Sequence, residues 1–226
     1  MLKKIITISL LTLLLLSPFS LRMTRVKRIE PSKVELPKHF DKVYKTFNSY
    51  NKDTDSSLVM TFCEVSDLYG LDEVETEFNW LLGQILLESG GRQYINDDLV
   101  VSRTGAIGIG QILRSTSLLY LKKCITKEDS AIFREVGVTD YSFVNDESCN
   151  RRERIALARE WLSNETNNIA LWGKIMSDEL RRKTMIDALI TYNIGPRKLR
   201  EYLDSGRTRN SHHYIVGIKS RLKFVK

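Results

Sequence analysis

The chain has 226 residues, of which 42% are hydrophobic and 28% are charged, and its formal net charge is +7. This length suits one sizeable domain with a short extension, and the composition excludes a disordered chain. The excess of lysine and arginine favours an anionic partner, which is nucleic acid, a lipid surface or an acidic cell-wall polymer.

The N-terminus has a basic start within residues 1–4 and an almost unbroken apolar run over residues 5–16. That run is too short for a membrane span of about 20 residues and matches the core of a secretory signal peptide. No small-x-small cleavage site follows it, and Arg22 and Arg25 place positive charge directly beyond it. We therefore predict a signal peptide or an uncleaved anchor over residues 1–21. The protein is then exported to the periplasm or cell envelope, where an anchor would hold it at the inner membrane.

A basic, polar segment with two prolines predicts a linker over residues 22–37. From residue 38 to 226 apolar residues recur at three- and four-residue spacing, which predicts one helical domain. The predicted helices lie near residues 40–47, 58–69, 72–87, 115–121, 128–136, 151–162, 167–180, 183–193, 197–203 and 213–224. The strand candidate is residues 98–102, so we predict a mainly α fold with at most a small β-hairpin near residues 98–110.

The three cysteines are Cys63, Cys124 and Cys149. An exported protein would form one disulfide, of which Cys124 with Cys149 closes a loop of modest size, and three unpaired cysteines are the alternative. None has the spacing of a metal site. His212 and His213 are adjacent, and neighbours on a helix do not face each other, so we predict a structural or solvent-exposed role for both.

A carboxylate ends the helix predicted at residues 72–87. Positions at i, i+3, i+4 and i+7 place four residues on one helical face, namely Leu81, Gln84, Ile85 and Glu88. A glutamate drawn towards a core loses solvation, which raises its pKa and makes it a candidate general acid. The alternative is an ordinary helix-end glutamate that turns towards solvent.

Two later segments carry further candidate site residues. The first contains Gly105, Gly108 and Gly110 followed by Gln111, and the second contains Tyr192-Asn193 before Gly195-Pro196. Close glycines let a backbone approach another group. No strand precedes the glycines and no βαβ unit surrounds them, so the segment is not a nucleotide-binding loop.

Three blocks thus follow one another along the chain: Glu88-Ser89, residues 105–113 and residues 188–196. In this order they resemble the signatures of the SLT-type lytic transglycosylases of the lysozyme-like fold, which read Glu-Ser, Gly-Leu-Met-Gln and Ala-Tyr-Asn-Ala-Gly. The similarity spans residues 78–218, with residues 166–169 for the family's Asn-Ile block and Tyr214-Ile215 for its closing tyrosine motif.

The sequence departs from the family pattern at three positions. Gly110 replaces a methionine, so a side chain that would line the cleft is absent and the adjoining sugar subsite is altered. Trp172 stands where the spacing places the family's glycine, and Thr191 replaces an alanine. None of these changes removes a reactive group.

The resemblance implies a lysozyme-like single domain in which Glu88 is the catalytic residue. Ser89 would bond the carboxyl or its loop, the glycines would let Gln111 approach a sugar ring, and Tyr192 and Asn193 would orient Glu88 and bind an N-acetyl group. The substrate-binding or orienting residues are then Ser89, Gly108, Gly110, Gln111, Tyr192 and Asn193. No metal or organic cofactor is needed.

The implied reaction cleaves the β-1,4 bond between N-acetylmuramic acid (MurNAc) and N-acetylglucosamine (GlcNAc) in peptidoglycan glycan strands. Glu88 acts as acid and then as base, and the product is 1,6-anhydro-MurNAc. One alternative is a hydrolytic muramidase with Asp97 or Asp98 as the second carboxylate. Another is an inactive wall-binding component of an envelope-spanning secretion or conjugation apparatus. Nucleic acid is disfavoured because no interleaving of aromatic and basic residues indicates a recognition module.

Overall fold

The computed structural model describes residues 35–225. The predicted signal peptide or anchor and the first part of the predicted linker lie outside the described residues. Among the described residues no helix combines the length and apolarity that a bilayer crossing requires. Nine α-helices and two short strand pairs are present within this range, so the predicted mainly α fold is confirmed.

The helices follow one another with short connections. They are α1 (Phe40–Tyr50), α2 (Ser56–Leu68), α3 (Glu75–Ser89), α4 (Arg114–Lys123), α5 (Lys127–Glu135), α6 (Arg151–Ser163), α7 (Glu165–Leu180), α8 (Met185–Asp204) and α9 (His213–Arg221). Short 3₁₀ turns lie at Ser142–Val144, Arg209–Ser211 and Leu222–Phe224. Every predicted helix is present. The start of α7 lies before the predicted residue 167 because the Asn164 side chain accepts the Asn167 N–H at 3.0 Å and caps the helix.

Four two-residue strands lie between α3 and α4. They are β1 (Tyr94–Ile95), β2 (Asp98–Leu99), β3 (Ala106–Ile107) and β4 (Ile112–Leu113), paired antiparallel as β1 with β2 and β3 with β4. The turn between β1 and β2 is formed by Asn96 and Asp97, both at positive φ (49° and 67°), as tight two-residue hairpins require. Residues 98–99 pair backwards with β1, while Val101 bridges to Ile107. Two small hairpins therefore lie within residues 94–113, where the sequence predicts one near residues 98–110.

The core is built around α7, whose residues 167–177 are all buried. Trp172 is fully buried, and its ring stacks on Phe62 of α2 with ring centroids 5.0 Å apart. Helices α2, α6 and α8 pack around α7, so this helix is covered on several sides. A helix apolar on most faces is expected in that central position.

Close packing of α9 on α3 sets the position of the candidate site. Gly83 of α3 faces Ile218 of α9, and an added methyl group there would lie 3.0 Å from Ile218 Cγ2. Gly217 of α9 faces Leu87 in the same way, at 2.9 Å. Because neither glycine carries a side chain, the two helices approach closely along the segment that ends in Glu88.

Helix α8 is kinked where the sequence predicts a break. Gly195 lies at φ 81° and ψ 160°, outside helical geometry, and Pro196 begins the second half of the helix. A proline fits the first position of a helix because its missing N–H would be unpaired there. Asn193 and Lys198, on either side of the kink, line a common cleft.

The three cysteines are unpaired, so the disulfide between Cys124 and Cys149 is not formed. Cys63 is buried on α2, and burial raises the pKa of its thiol to about 12. It therefore behaves as a small core residue.

Candidate active site

A cleft of about 630 Å³ is lined by residues of β3 and β4 together with α4, α7, α8 and the end of α3. Four of the seven predicted site residues line it: Glu88, Gln111, Tyr192 and Asn193. They come from three segments that are far apart in sequence. The fold therefore brings the glutamate, the amides and one of the tyrosines to a common space.

Glu88 occupies the last turn of α3, which Gly90 ends in the left-handed conformation at φ 69°. Its side chain is half-buried, and Tyr214 of α9 donates a hydrogen bond from its hydroxyl to Glu88 Oε1. No lysine, arginine or histidine in residues 35–225 forms an ion pair with it. The carboxyl is thus partly buried without a compensating positive charge beside it.

Burial raises the pKa of Glu88 to about 7, and the hydrogen bond from Tyr214 opposes this rise. Loss of water disfavours the ionised form, and a hydroxyl donor favours it. Near neutral pH the carboxyl therefore exists in both protonation states. A group with this pKa can donate a proton in one step and accept one in the next.

Tyr192 lines the cleft, and its hydroxyl donates a hydrogen bond to the backbone oxygen of Gly110. Burial and the charge of Glu88 raise its pKa well above the usual value, so it stays protonated. The hydroxyl that reaches Glu88 belongs to Tyr214, and this corrects the expectation that Tyr192 contacts the carboxyl. Tyr214 lies in the closing tyrosine motif of the resemblance, which was the sequence signal for it.

Ser89 is buried behind the cleft. Its hydroxyl donates to Ile85 O at 3.3 Å and accepts the Arg92 N–H at 3.3 Å. It therefore holds the loop that follows α3 and makes no bond to the carboxyl. Of the two partners expected from the sequence, the loop is the one it has.

Gly108 and Gly110 are buried and pack on α7. A methyl group at Gly108 (φ 71°) would lie 2.3 Å from Gln93 Oε1 and 2.5 Å from Asn168 Nδ2. Asn168 Oδ1 accepts the Gly110 N–H at 2.9 Å, and Asn168 Nδ2 donates to Ile107 O at 2.9 Å. These glycines thus allow Asn168 to clamp the β3–β4 loop, and neither lines the cleft.

Two departures from the family pattern meet in space. A methyl group at Gly110 would lie 3.1 Å from Cβ of the fully buried Trp172. A side chain at position 110 would therefore point towards Trp172 and away from the cleft. This corrects the expectation that a side chain at position 110 would line the cleft, since the large residue at 172 accompanies the small one at 110.

Gln111 and Asn193 offer polar groups to a ligand. Gln111 Nε2 donates to Gly108 O at 2.8 Å and to Val100 O at 3.3 Å, which leaves its side-chain oxygen available as an acceptor. Asn193 is exposed in the cleft, and its amide makes no hydrogen bond to any residue in the described part of the chain. Together they provide an acceptor and a donor–acceptor pair of the kind that an N-acetyl amide needs.

The second carboxylate in the cleft is not one of the predicted pair. Asp97 and Asp98 are exposed on the first hairpin, where Asp97 forms its turn, and neither lines the cleft. Glu179, at the end of α7, does line it and is ion-paired with Lys183. The i,i+4 spacing of this pair is visible in the sequence, but its position at the cleft depends on tertiary packing.

Residues 35–225 contain no group of three or more histidine, cysteine, aspartate and glutamate side chains placed to hold a metal ion. Comparisons of the chain with protein-family models, curated proteins and solved structures found no match.

Proposed function

We propose that this protein is a lytic transglycosylase that cleaves the β-1,4 bond between MurNAc and GlcNAc and forms 1,6-anhydro-MurNAc. The observation that carries the proposal is the state of Glu88, a half-buried carboxyl with a pKa near 7 and no cationic partner, in a cleft with Gln111 and Asn193. The predicted export signal and the net charge of +7 suit an anionic wall polymer outside the cytoplasm.

In the first step Glu88 donates its proton to the glycosidic oxygen. The C1–O bond then breaks, and the GlcNAc residue leaves with a free C4 hydroxyl. The positive charge at C1 of MurNAc is stabilised by the oxygen of its own N-acetyl group, as in substrate-assisted glycosidases. Gln111 and Asn193, which line the same cleft as Glu88, would hold that N-acetyl group.

In the second step the ionised Glu88 takes the proton from the C6 hydroxyl of the same MurNAc residue. The C6 oxygen attacks C1 and closes the 1,6-anhydro ring, so water is not consumed and Glu88 is protonated again. One carboxyl is sufficient because the substrate supplies its own nucleophile. Tyr214 keeps Glu88 in a fixed orientation during both steps.

Hydrolysis by a muramidase is the second candidate, and the position of Glu179 is the observation that favours it. A hydrolase needs a second carboxylate to activate water or to form a covalent intermediate. Glu179 lines the cleft, but its carboxylate is already paired with Lys183. That pairing favours a structural role and supports the single-carboxyl mechanism.

The decisive experiment is digestion of purified peptidoglycan in water enriched in heavy oxygen, followed by mass analysis of the muropeptides. We expect 1,6-anhydro ends without heavy oxygen from the wild type and a loss of at least about a thousandfold in the Glu88→Gln variant. Glu75→Gln is the matched control, because Glu75 is an exposed glutamate at the start of the same helix.

Three results would contradict the proposal. Reducing ends that carry heavy oxygen would indicate hydrolysis. Wall binding without any product from the wild type would indicate a binding component of an envelope apparatus. Equal turnover by wild type and Glu88→Gln would place the chemistry elsewhere.

A further inference from the structure

His212 supports the start of the helix that carries Tyr214. It is 2% exposed and occupies the N-cap position of α9, where its Nδ1 accepts the Tyr214 N–H at 3.3 Å. The hydroxyl of the same Tyr214 donates a hydrogen bond to Glu88. Tyr214 is therefore held at its backbone by His212 and at its hydroxyl by the carboxyl.

The ring of His212 contacts two other aromatic rings. His213 stacks on it with ring centroids 4.5 Å apart, and the ring of Tyr202, from the second half of α8, meets it edge-on at 4.8 Å. The Tyr202 hydroxyl shares a hydrogen bond with Ser211 Oγ in the 3₁₀ turn that precedes His212. These contacts fix the plane of the ring and thus the direction of Nδ1.

The charged groups near this ring do not stabilise a positive charge on it. The ionisable residues around the ring are His213 on its own segment, Tyr202 on α8 and Arg209 in the preceding 3₁₀ turn. Arg209 is already paired with Asp187 at 2.5 Å. On α3, Glu88 is linked to His212 through Tyr214, whose hydroxyl donates a hydrogen bond to it. No carboxylate in residues 35–225 forms an ion pair with His212.

The N-cap bond needs the neutral form of the ring. Only an unprotonated Nδ1 can accept the Tyr214 N–H, and a positive ring would also sit at the positive end of the α9 dipole. Burial and the charge of His213 lower the pKa of His212, so the ring is neutral at pH 7. As the pH falls, protonation breaks the N-cap and repels the helix start.

We propose that His212 is a positioning residue for Glu88: its neutral ring fixes the start of α9 and holds Tyr214 against the carboxyl, and its protonation releases that support. The activity readout of this proposal rests on the proposed function, whereas the structural readout does not.

The proposal adds an acid limb to the pH profile. Glu88 must be protonated to begin the reaction, so kcat/KM falls as the pH rises through about 7. A mechanism with one carboxyl has no second carboxylate to lose at low pH. Protonation of His212 supplies the acid limb, which lies below the ordinary histidine pKa of about 6.5 because the folded pKa is lowered.

The test compares His212→Asn, which restores a good N-cap without a titrating ring, with His212→Ala, which does neither. We expect His212→Asn to keep kcat at pH 7 within roughly threefold and to retain activity at pH 5. His212→Ala should lose roughly fivefold to tenfold in kcat relative to the wild type at pH 7 with little change in KM, and it should match the wild type once the ring of the wild type is protonated, because both then lack the N-cap. His213→Asn is the matched control on the exposed neighbour, and it should keep the acid limb.

A second measurement needs no substrate and no variant. The histidine ring and the Tyr214 backbone amide of the full-length wild type are followed by NMR from pH 8 to pH 5. We expect the Tyr214 amide to shift together with the ring resonances of His212. An amide that does not follow His212, or an acid limb that persists in His212→Asn, would overturn the proposal. If the wild type does not cleave peptidoglycan, the proposed function fails and the NMR titration still tests the role of His212.

Discussion

Glu88 and Lys174 are both ionisable groups inside the domain, but only Lys174 has partners of opposite charge. Lys174 Nζ lies 2.9 Å from Asp129 and 2.8 Å from Asp178, and its side chain is 4% exposed. Glu88 has a tyrosine hydroxyl and no cation. The first arrangement joins α5 to α7 within the core, and the second faces a cleft.

The pKa values show what this difference means. Burial acts to raise the pKa of Asp129, but hydrogen bonds from Thr126 and Lys174 outweigh it and leave the pKa below its usual value. At Glu88 burial prevails over the hydrogen bond from Tyr214, and the pKa rises to about 7. A paired carboxylate keeps its charge and serves structure, whereas an unpaired one exchanges its proton near neutral pH.

The largest expected effect is on stability, in Lys174→Met. Removal of the ammonium leaves the buried Asp129 and the half-buried Asp178 without a positive charge between them, so we expect a loss of about 3 to 5 kcal/mol in the free energy of unfolding. Urea unfolding at pH 7 measures it. Lys42→Met is the control, because Lys42 pairs with the exposed Glu75 at 2.7 Å and should cost less than about 1 kcal/mol. Equal losses of unfolding free energy in the two variants would mean that burial does not strengthen the ion pairs of Lys174.

Glu88→Gln is expected to raise the free energy of unfolding, the opposite of the effect of Lys174→Met. A carboxyl whose folded pKa is raised contributes its stability below the unfolded pKa of about 4.3 and loses it as the pH rises through about 7. The neutral amide avoids that loss, so we expect the variant to be more stable than wild type by about 1 to 3 kcal/mol at pH 8. At pH 4 the difference should vanish.

Unfolding curves of wild type and Glu88→Gln across this pH range measure the difference, with Glu75→Gln as control. The pKa of Glu75 is lowered by its bond to Lys42, so the same substitution there should not stabilise the protein at pH 8. A constant difference at all pH values would show that Glu88 does not titrate with a raised pKa.

Tyr214→Phe tests the remaining polar contact of Glu88. The lost hydroxyl no longer lowers the pKa of the carboxyl, so the alkaline limb of kcat/KM should move to higher pH. We also expect kcat to fall by roughly tenfold because Glu88 is less well oriented. Tyr192→Phe is the comparison, since its hydroxyl contacts Gly110 O and its removal should leave the position of the limb unchanged.

The smallest effect is expected at Glu179, the paired carboxylate of the cleft. If pairing with Lys183 marks a structural role, Glu179→Gln should reduce turnover of peptidoglycan by less than roughly threefold and leave the anhydro product unchanged. Product analysis by mass measures both. A loss comparable to that of Glu88→Gln would show that pairing does not separate structural from catalytic carboxylates here.

Local patterns predicted the helices well because each depends on neighbouring residues. The stripe of Leu81, Gln84 and Ile85 is fully buried, as its spacing required, and Gly195-Pro196 interrupts α8. The hairpin region was predicted only in outline, since the pairing of residues 98–99 with β1 depends on the turn at Asn96 and Asp97.

The candidate site was predicted in part. Motif order predicts Glu88, Gln111 and Asn193 as site residues, and the structure brings them to one cleft. The resemblance implies that Gly108 and Gly110 let Gln111 approach a sugar ring, but in the structure these two glycines pack on Asn168 and Trp172. A sequence motif identifies a glycine without indicating which side of the backbone is crowded.

Periodicity and helix ends are local properties, so the amino-acid sequence predicts the helical fold and the carboxylate at the end of α3. The surroundings of that carboxylate depend on tertiary packing. Tyr214 lies 126 positions away in the chain, and its hydroxyl meets Glu88 only because Gly83 and Gly217 let α9 approach α3. The tuning of Glu88 is therefore a property of helix packing, which no local pattern contains.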